Sequence, residues 1–496
     1  MKKLYILSSI YGSVNFSFEI DSIITDARNN EVSVLICDGC FRKCAGNLCG
    51  NRLLCHECIK RTNAILNNIA NIKILRQIDY VSEPIYHNHL NFKTIEELNS
   101  TRYKDIEIGY GVSSCYISLT RNLNPLINHK LNTIFNDWLE ISMSHADIAD
   151  RIITNNFDSV YVVNGRLFDS KPYQEIAFAK GIPIILGEST TSIDGKIVRM
   201  NFDNIRVHSV KGNCDAIRRF WDDSKVPIDE RRKIAASFYE NRIKAVKTND
   251  KVYTAGQTTG LLPDDWDNSK TNIAIFNSSE DEFAAIGGEF MENNLFSSQL
   301  EGIKFLLENI TDSSIHFYLR IHPNLMRVDY KYHTDLYSLP KSYRNITVIP
   351  GNSPVSSYSL MNSCNRIVTF GSTMGVESAY SGKSSIVLRR CGYYYLNVCF
   401  VPNDQKDVLD FVRGKISYTP NKEDALKYSY YYYNNERESV DNVECEIKHH
   451  SIGMLKYKFK FACMNLLCSE LRMKFCAFLR CLGILESKIR IPKAEI

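Results

Sequence analysis

At 496 residues the chain is too long for one ordinary domain, and 44% hydrophobic with 23% charged residues is the composition of a globular protein with ample core. A formal net charge of +4 is too small to mark a nucleic-acid binder. The basic excess is confined to residues 451–496, where nine Lys/Arg stand against three Asp/Glu, a net of +6 that leaves the rest of the chain near −2.

The opening residues, MKKLYILSSIYGS, carry two lysines and an apolar run broken by Ser8 and Ser9, without a small-residue cleavage site. They read as a first strand rather than an export signal, and no stretch reaches the roughly 18–20 apolar residues of a membrane span. The expectation is a cytoplasmic protein whose 16 cysteines are thiols or metal ligands rather than disulfides. Strands are expected over 4–9 and 32–37, flanking a helix over 16–27. Six cysteines then crowd together: Cys37, Cys40, Cys44, Cys49, Cys55 and Cys58. Two Cys-x-x-Cys pairs separated by 14 residues can close a tetrahedral zinc site or hold an iron–sulfur cluster, with zinc the first expectation. Such a site would be structural and would pin the loop after the second strand, where Asp38 also sits.

Further on, a helix is expected over 131–147, a strand over 159–164 ending in Asn164-Gly165-Arg166, and a helix over 173–180 closed by Gly181. The strand 182–186 is expected to end at Gly187-Glu188. The carboxyl ends of parallel strands line ligand crevices, which makes Asp38 and Glu188 the candidate acid–base groups. Residues 211–253 read as helical and 254–270 as an interdomain linker rich in Gly, Pro and Asp. Asp265-Trp266-Asp267 has the Asp-x-Asp form of a metal-dependent sugar transferase but lies in turn-rich text rather than at a strand end.

The second half alternates strand and helix, predicting a parallel sheet with right-handed crossovers. Strands over 273–276, 315–321, 346–349 and 366–370 end in Asn277-Ser278-Ser279, His322-Pro323, Pro350-Gly351-Asn352-Ser353 and Gly371-Ser372-Thr373. The last turn opens a helix over 374–380, closed by Gly382-Lys383 before a strand over 385–388. Backbone N–H groups, two hydroxyls and a helix N-terminus at one turn make a seat for phosphate. The convergence of these ends, with an imidazole among them, strengthens that reading. The tail alternates Lys456, Lys458 and Lys460 with aromatic residues. Its longest charge-free run, 461–469, is nine residues, so it suits a membrane interface rather than a span.

FNSSEDEF at 276–283, RIHPN at 320–324 and the stretch 353–388 resemble the bacterial capsule and surface-polysaccharide glycosyltransferases of the GT-B fold, a set that includes Kdo transferases and teichoic-acid polymerases. The Cys-rich stretch and 164–189 resemble it more loosely, and the Lys-Pro usual before the last strand is Lys383-Ser384 here. The resemblance implies an α/β protein of two Rossmann-like domains facing across a cleft: 1–255 on the acceptor side, 271–440 binding a nucleotide-sugar, and 451–496 as a basic amphipathic tail. It implies that His322, Ser372 and Thr373 contact the donor phosphate without a metal. Gly371, Ser278, Ser279 and Glu377 are assigned to the same donor site, Glu377 toward a ribose or sugar hydroxyl. It also favours Cys44 over Cys40 as partner of Cys37, Cys55 and Cys58 in the metal site, where spacing alone would favour Cys40. The implied acceptor is a glycan or lipid-linked glycan at the inner face of the membrane, with no nucleic acid involved. Rival expectations are a CDP-polyol-phosphate transferase and a non-catalytic, zinc-stabilised interaction protein.

Overall fold

A computed structural model describes the chain except residues 10–12, 42, 49, 82–88, 193–195, 247–252, 255, 327, 450–484 and 491–496; for 14, 191, 444–449 and 485–490 it describes the backbone alone. The first sheet is built from β1 (Lys2–Ile6), β2 (Glu31–Ile36), β3 (Ile72–Arg76), β4 (Ser159–Val163), β5 (Ile184–Thr191) and β6 (Ile197–Asp203), in the spatial order β3-β2-β1-β4-β5-β6. All pairings are parallel except β5 with β6. The apolar runs of β1, β2 and β4 are buried because helices cover both faces of a parallel sheet. One of those helices, Val14–Ala27, starts where the Ser13 hydroxyl accepts the Phe16 N–H at 3.1 Å. The long helix His129–Ile152, capped in the same way by Asn128, buries Trp138 against Phe168 with ring centroids 5.5 Å apart.

The strand expected over 182–186 continues to Thr191, so Gly187-Glu188 does not end it. Past Gly187 the strand leaves its parallel neighbour β4 and pairs only with antiparallel β6. That extension is half-buried, which explains why its Glu-Ser-Thr-Thr text reads as a loop. Neither β3 nor β6 was expected. β3 is only partly buried and mixes lysine and arginine with its apolar residues, while β6 alternates along its length as a strand with one wet face does.

The second sheet comprises β7 (Thr271–Phe276), β8 (Ile315–Arg320), β9 (Ile346–Ile349), β10 (Arg366–Thr369) and β11 (Ser385–Val387), all parallel, in the order β9-β8-β7-β10-β11. Both sheets therefore reverse direction beside their first strand. The switch point of the first lies between β1 and β4, and that of the second between β7 and β10. Crevices open at such points because successive crossovers leave in opposite directions.

The chain then returns to the first sheet. Helix Lys422–Tyr432 packs on helix Ile228–Ile243, where the Tyr239 hydroxyl donates to Ala425 O at 2.6 Å and the Ser429 hydroxyl to Ala235 O at 2.9 Å. Beyond it, Arg199 N–H of β6 donates to Glu438 O at 3.0 Å, and Val443 is buried among residues of β1, β2 and β4. The basic tail lies outside the described residues, apart from the backbone of Leu485–Arg490, which runs antiparallel to Glu444–His449. No helix among the described residues is long and apolar enough to cross a membrane.

Candidate active site between the two sheets

At the switch point of the second sheet, the turn after β10 is fixed by its surroundings. Gly371 has φ +86°, and a Cβ there would stand 2.8 Å from the Phe283 ring, so only glycine fits. Ser372 N–H donates to Thr369 Oγ1 at 3.0 Å, and the Tyr393 hydroxyl donates to Ser372 O at 2.5 Å. Thr373 is the N-cap residue of helix Met374–Tyr380, yet its side chain makes no capping bond. That hydroxyl is exposed, and it lines a cavity of about 80 Å³ together with Asn277, His322, Ser372 and Glu377. Three of the four strand ends thus meet as expected. The fourth contributes indirectly, since Pro350 O and Ser353 O accept from the Arg320 guanidinium at 2.8 and 3.1 Å and hold it at the cavity wall.

His322 is held in one protonation state. Its backbone N–H donates to Asn277 Oδ1 at 2.7 Å, its Nδ1 accepts the Asn324 N–H at 3.2 Å, and Tyr253 packs edge-on at 5.1 Å. Burial, with Arg121 adding to it, pushes the imidazole down to about 4. The ring is therefore neutral at neutral pH. With Nδ1 engaged as an acceptor, its proton sits on Nε2 and can be donated.

The remaining donor-site expectations fall in different places. Glu377 is buried one turn into its helix; the Tyr358 hydroxyl donates to it at 2.5 Å and Arg242 lies 3.6 Å away. Ser278 is also buried, with its N–H on Gln299 Oε1 at 3.0 Å and its hydroxyl on Phe370 O at 2.8 Å, so it braces β7 against β10. The Ser279 hydroxyl accepts from Asn324 at 3.4 Å. Neither serine lines the cavity.

Facing this seat is a cleft of about 720 Å³, walled by Glu188, Asn164, Arg166 and His208 on one side and by Asp281, Glu282 and Asn324 on the other. The His322–Asn324 turn joins the two spaces, since its first residue lines the seat and its last the cleft. Glu188 accepts from the Asn164 amide, and burial raises its carboxyl while Asn164 and Arg166 oppose the rise. Asn164 and Gly165 adopt left-handed backbone, φ +58° and +72°, which these two residue types tolerate, and Arg166 follows them into the cleft wall. Burial lowers the Arg166 guanidinium, and its Nε has no partner among the described residues. Arg121 also lines the cleft, and its Nε and Nη2 donate to the two oxygens of Asp281 at 2.6 and 3.1 Å.

Asp38 is elsewhere. Its two oxygens accept Cys40 N–H at 3.2 Å and Ile78 N–H at 3.0 Å, and it lines neither the seat nor the cleft. Asp265 and Asp267 are also remote from the seat, engaged with Thr347 and with Ser269. Cys37, Cys44, Cys55 and Cys58 line one cavity, with Asp169 and His145 also in its wall, and Cys40 is not part of that wall. Sequence reasoning missed Arg242, Arg320 and Tyr358 as walls of the seat. It noticed Arg166 only as a polar residue after a strand. Arg242 gave no signal, because it arrives from a helix well upstream of the second sheet.

No family model matches the chain, and neither does any curated protein. Among solved structures, it is similar to the beta Kdo 2,4 transferase KpsC of Thermosulfurimonas dismutans at 14% identity, over 55% of this chain and 80% of that one, with a TM-score of 0.35. A UDP-GlcNAc 2-epimerase from Neisseria meningitidis bound to UDP-GlcNAc matches at 13% identity, over 86% and 94% of the two chains, with a TM-score of 0.28. MnaA of S. aureus in complex with UDP matches at 11% identity, over 98% and 97%, with a TM-score of 0.26. Likenesses this slight carry no functional argument. Topology supplies the fold: two doubly wound sheets face one cleft, and the chain returns to the first. This is a GT-B-like fold.

Proposed function

We propose that the protein is a glycosyltransferase that moves a sugar from a nucleotide-activated donor to a surface polysaccharide or lipid-linked oligosaccharide. The observation that carries this reading is the seat at the second switch point, where a neutral histidine, the Ser372 and Thr373 hydroxyls and two arginines surround one small cavity beside a large cleft. In a direct displacement the acceptor oxygen attacks the anomeric carbon and the bond to the donor phosphate breaks. Negative charge then develops on a phosphate oxygen, where His322 Nε2–H, Ser372 and Thr373 act as preorganised donors. Arg242 and Arg320 supply positive charge at the same wall, and Glu377 orients Arg242 and Tyr358. Gly371, at a φ of +86° beside the Phe283 ring, sets the turn that brings Ser372 and Thr373 to the cavity.

The acceptor proton needs a base, and Glu188 fits that role better than Asp38. It lines the cleft, which Asp38 does not, and burial raises its carboxyl, the direction that strengthens a base. Arg166, beside it, is suited to an anionic group on donor or acceptor. The basic tail would hold the enzyme at the inner membrane surface, where lipid-linked acceptors are found; each Lys or Arg near anionic lipid contributes about 1 kcal/mol.

A thermal-shift panel of CMP-, CDP-, UDP- and GDP-sugars tests the reading. A nucleotide at 100 times its Kd stabilises the folded chain by about 2.7 kcal/mol. One member of the panel should raise Tm in the natural protein and fail to do so in Ser372→Ala. Indifference to every nucleotide would refute the assignment.

A further inference from the structure

Arg121 joins the half of the chain that carries the first sheet to the turn that carries His322. Helix Gly109–Thr120 ends at this residue, whose backbone is left-handed at φ +59°, a conformation uncommon for an arginine. Its side chain reaches onto the second half of the chain. There Nε and Nη2 hold the buried Asp281 carboxylate as a planar fork, and Nη1 donates to Asn324 O at 2.7 Å. The Arg121 carbonyl accepts the Tyr332 hydroxyl at 3.0 Å. We propose that Arg121 is a positioning residue: by holding the Asn324 carbonyl it fixes the turn that keeps His322 as a donor of one tautomer.

The path from guanidinium to imidazole is short. Asn324 receives Arg121 on its carbonyl and donates its own N–H to His322 Nδ1 at 3.2 Å. That bond makes Nδ1 the acceptor and leaves the proton on Nε2. Glu282 accepts from the Asn324 side-chain amide, and Leu325 N–H donates to His322 O at 2.9 Å. The acidic run at the start of helix Glu280–Ile286 thus has a physical purpose. Glu280 takes Arg389 at 2.9 Å, Asp281 takes Arg121, and Glu282 takes Asn324. Close packing backs the clamp, since a Cβ on Gly287 would stand 2.6 Å from the Tyr110 ring of the first-half helix. A lysine at 121 would keep the charge, but one ammonium cannot span Asp281 and the Asn324 carbonyl as the fork does. The donor role of His322 rests on the transfer proposed above; the orientation of its ring does not.

The test reads the ring directly and needs no substrate. The full chain, isotope-labelled at the histidine ring nitrogens, is titrated by NMR, and His322→Gln identifies the resonances of His322. The charged groups around that ring are Arg121, Asp281 and Glu282 on the cleft side and Arg242, Arg320 and Glu377 around the seat. Arg121→Lys preserves the charge of every one. In the natural chain His322 should show a single neutral tautomer, with Nδ1 unprotonated, and no titration near 6.5, because burial holds it at about 4. In Arg121→Lys both tautomers should appear and the titration should rise toward 6.5. His145, bonded to Tyr173 at 3.0 Å, and His316, bonded to Thr347 at 2.8 Å, should keep their natural shifts and report an intact fold. Should Arg121→Lys fail to fold, Tyr332→Phe, which frees the Arg121 carbonyl without altering a charge, decides by the same readout. Natural tautomer and titration of His322 in the folded variant would overturn the proposal, as would two tautomers in the natural chain. A nucleotide panel without effect refutes the transfer instead and leaves the role of Arg121 standing.

Discussion

In the transfer proposed above, replacing His322 by alanine removes one donor aimed at the departing phosphate and little else. The loss of a single preorganised donor costs about 10²–10³ in kcat, or about 2.7–4 kcal/mol of transition-state stabilisation. The structural cost is smaller. The Asn324 N–H loses its acceptor, worth about 1 kcal/mol, and Tyr253 loses an edge contact worth about 0.5–1 kcal/mol. The protein should therefore fold, keep its Glu188 cleft, and turn over slowly. Protonation supplies a second readout. Folding lowers the imidazole from 6.5 to about 4, so the unfolded chain binds the proton more tightly between those values. The stability contributed by the neutral ring is present above about pH 6.5 and is lost as pH falls toward 4. His322→Ala should flatten the fall of Tm over that window. The natural enzyme should also show no limb in kcat at an ordinary histidine value. Release of nucleotide from whichever sugar donor stabilises the chain is the assay. Near-natural turnover in His322→Ala, or a kcat limb between pH 6 and 7 that the variant abolishes, would refute the neutral-donor argument.

Glu188→Gln should lower kcat by about 10²–10⁴ and remove the acidic limb of the pH–rate profile while leaving the nucleotide thermal shift intact; a retained limb assigns the base elsewhere. Gly371→Ala places a Cβ 2.8 Å from Phe283 at φ +86° and should cost on the order of 1–3 kcal/mol, with loss of nucleotide binding; an unchanged Tm would contradict the strain. Arg121→Met leaves Asp281 with a buried, unpaired carboxylate in the cleft wall. Because the arginine is 27% exposed, a loss of about 1–3 kcal/mol is expected in urea unfolding, and no loss would show the contact to be dispensable. Removing residues 456–496 should leave a folded chain that no longer co-sediments with anionic vesicles. Insolubility on truncation, with an intact chain that ignores vesicles, would make the tail part of the core.

Most of the second sheet was legible because each buried parallel strand is a continuous apolar run and each ends in residues that cannot continue it. Gly371-Ser372-Thr373 and His322-Pro323 marked their own positions, since a sharp turn after a strand demands particular backbone freedom. The antiparallel edge was not legible. Residues 188–191 are polar because one face of that extension is wet, and only pairing with β6 makes them a strand. Local text also could not say which side chains would share a cavity. Arg242 and Tyr253 reach the cavity beside His322 from upstream of the second sheet, and Arg121 reaches Asp281 from a helix of the first. Among the cysteines, spacing alone favoured Cys40 beside Cys37, and only the path of the loop sets Cys44 in the cavity wall and Cys40 outside it. Asp38 pulls Cys40 into a tight turn against Gln77, while the segment from Cys44 to Asn47 folds back over the cavity. Sequence determines elements through the preferences of neighbouring residues. Sites are made by contacts between residues far apart in the chain, and those exist only once the two sheets have packed.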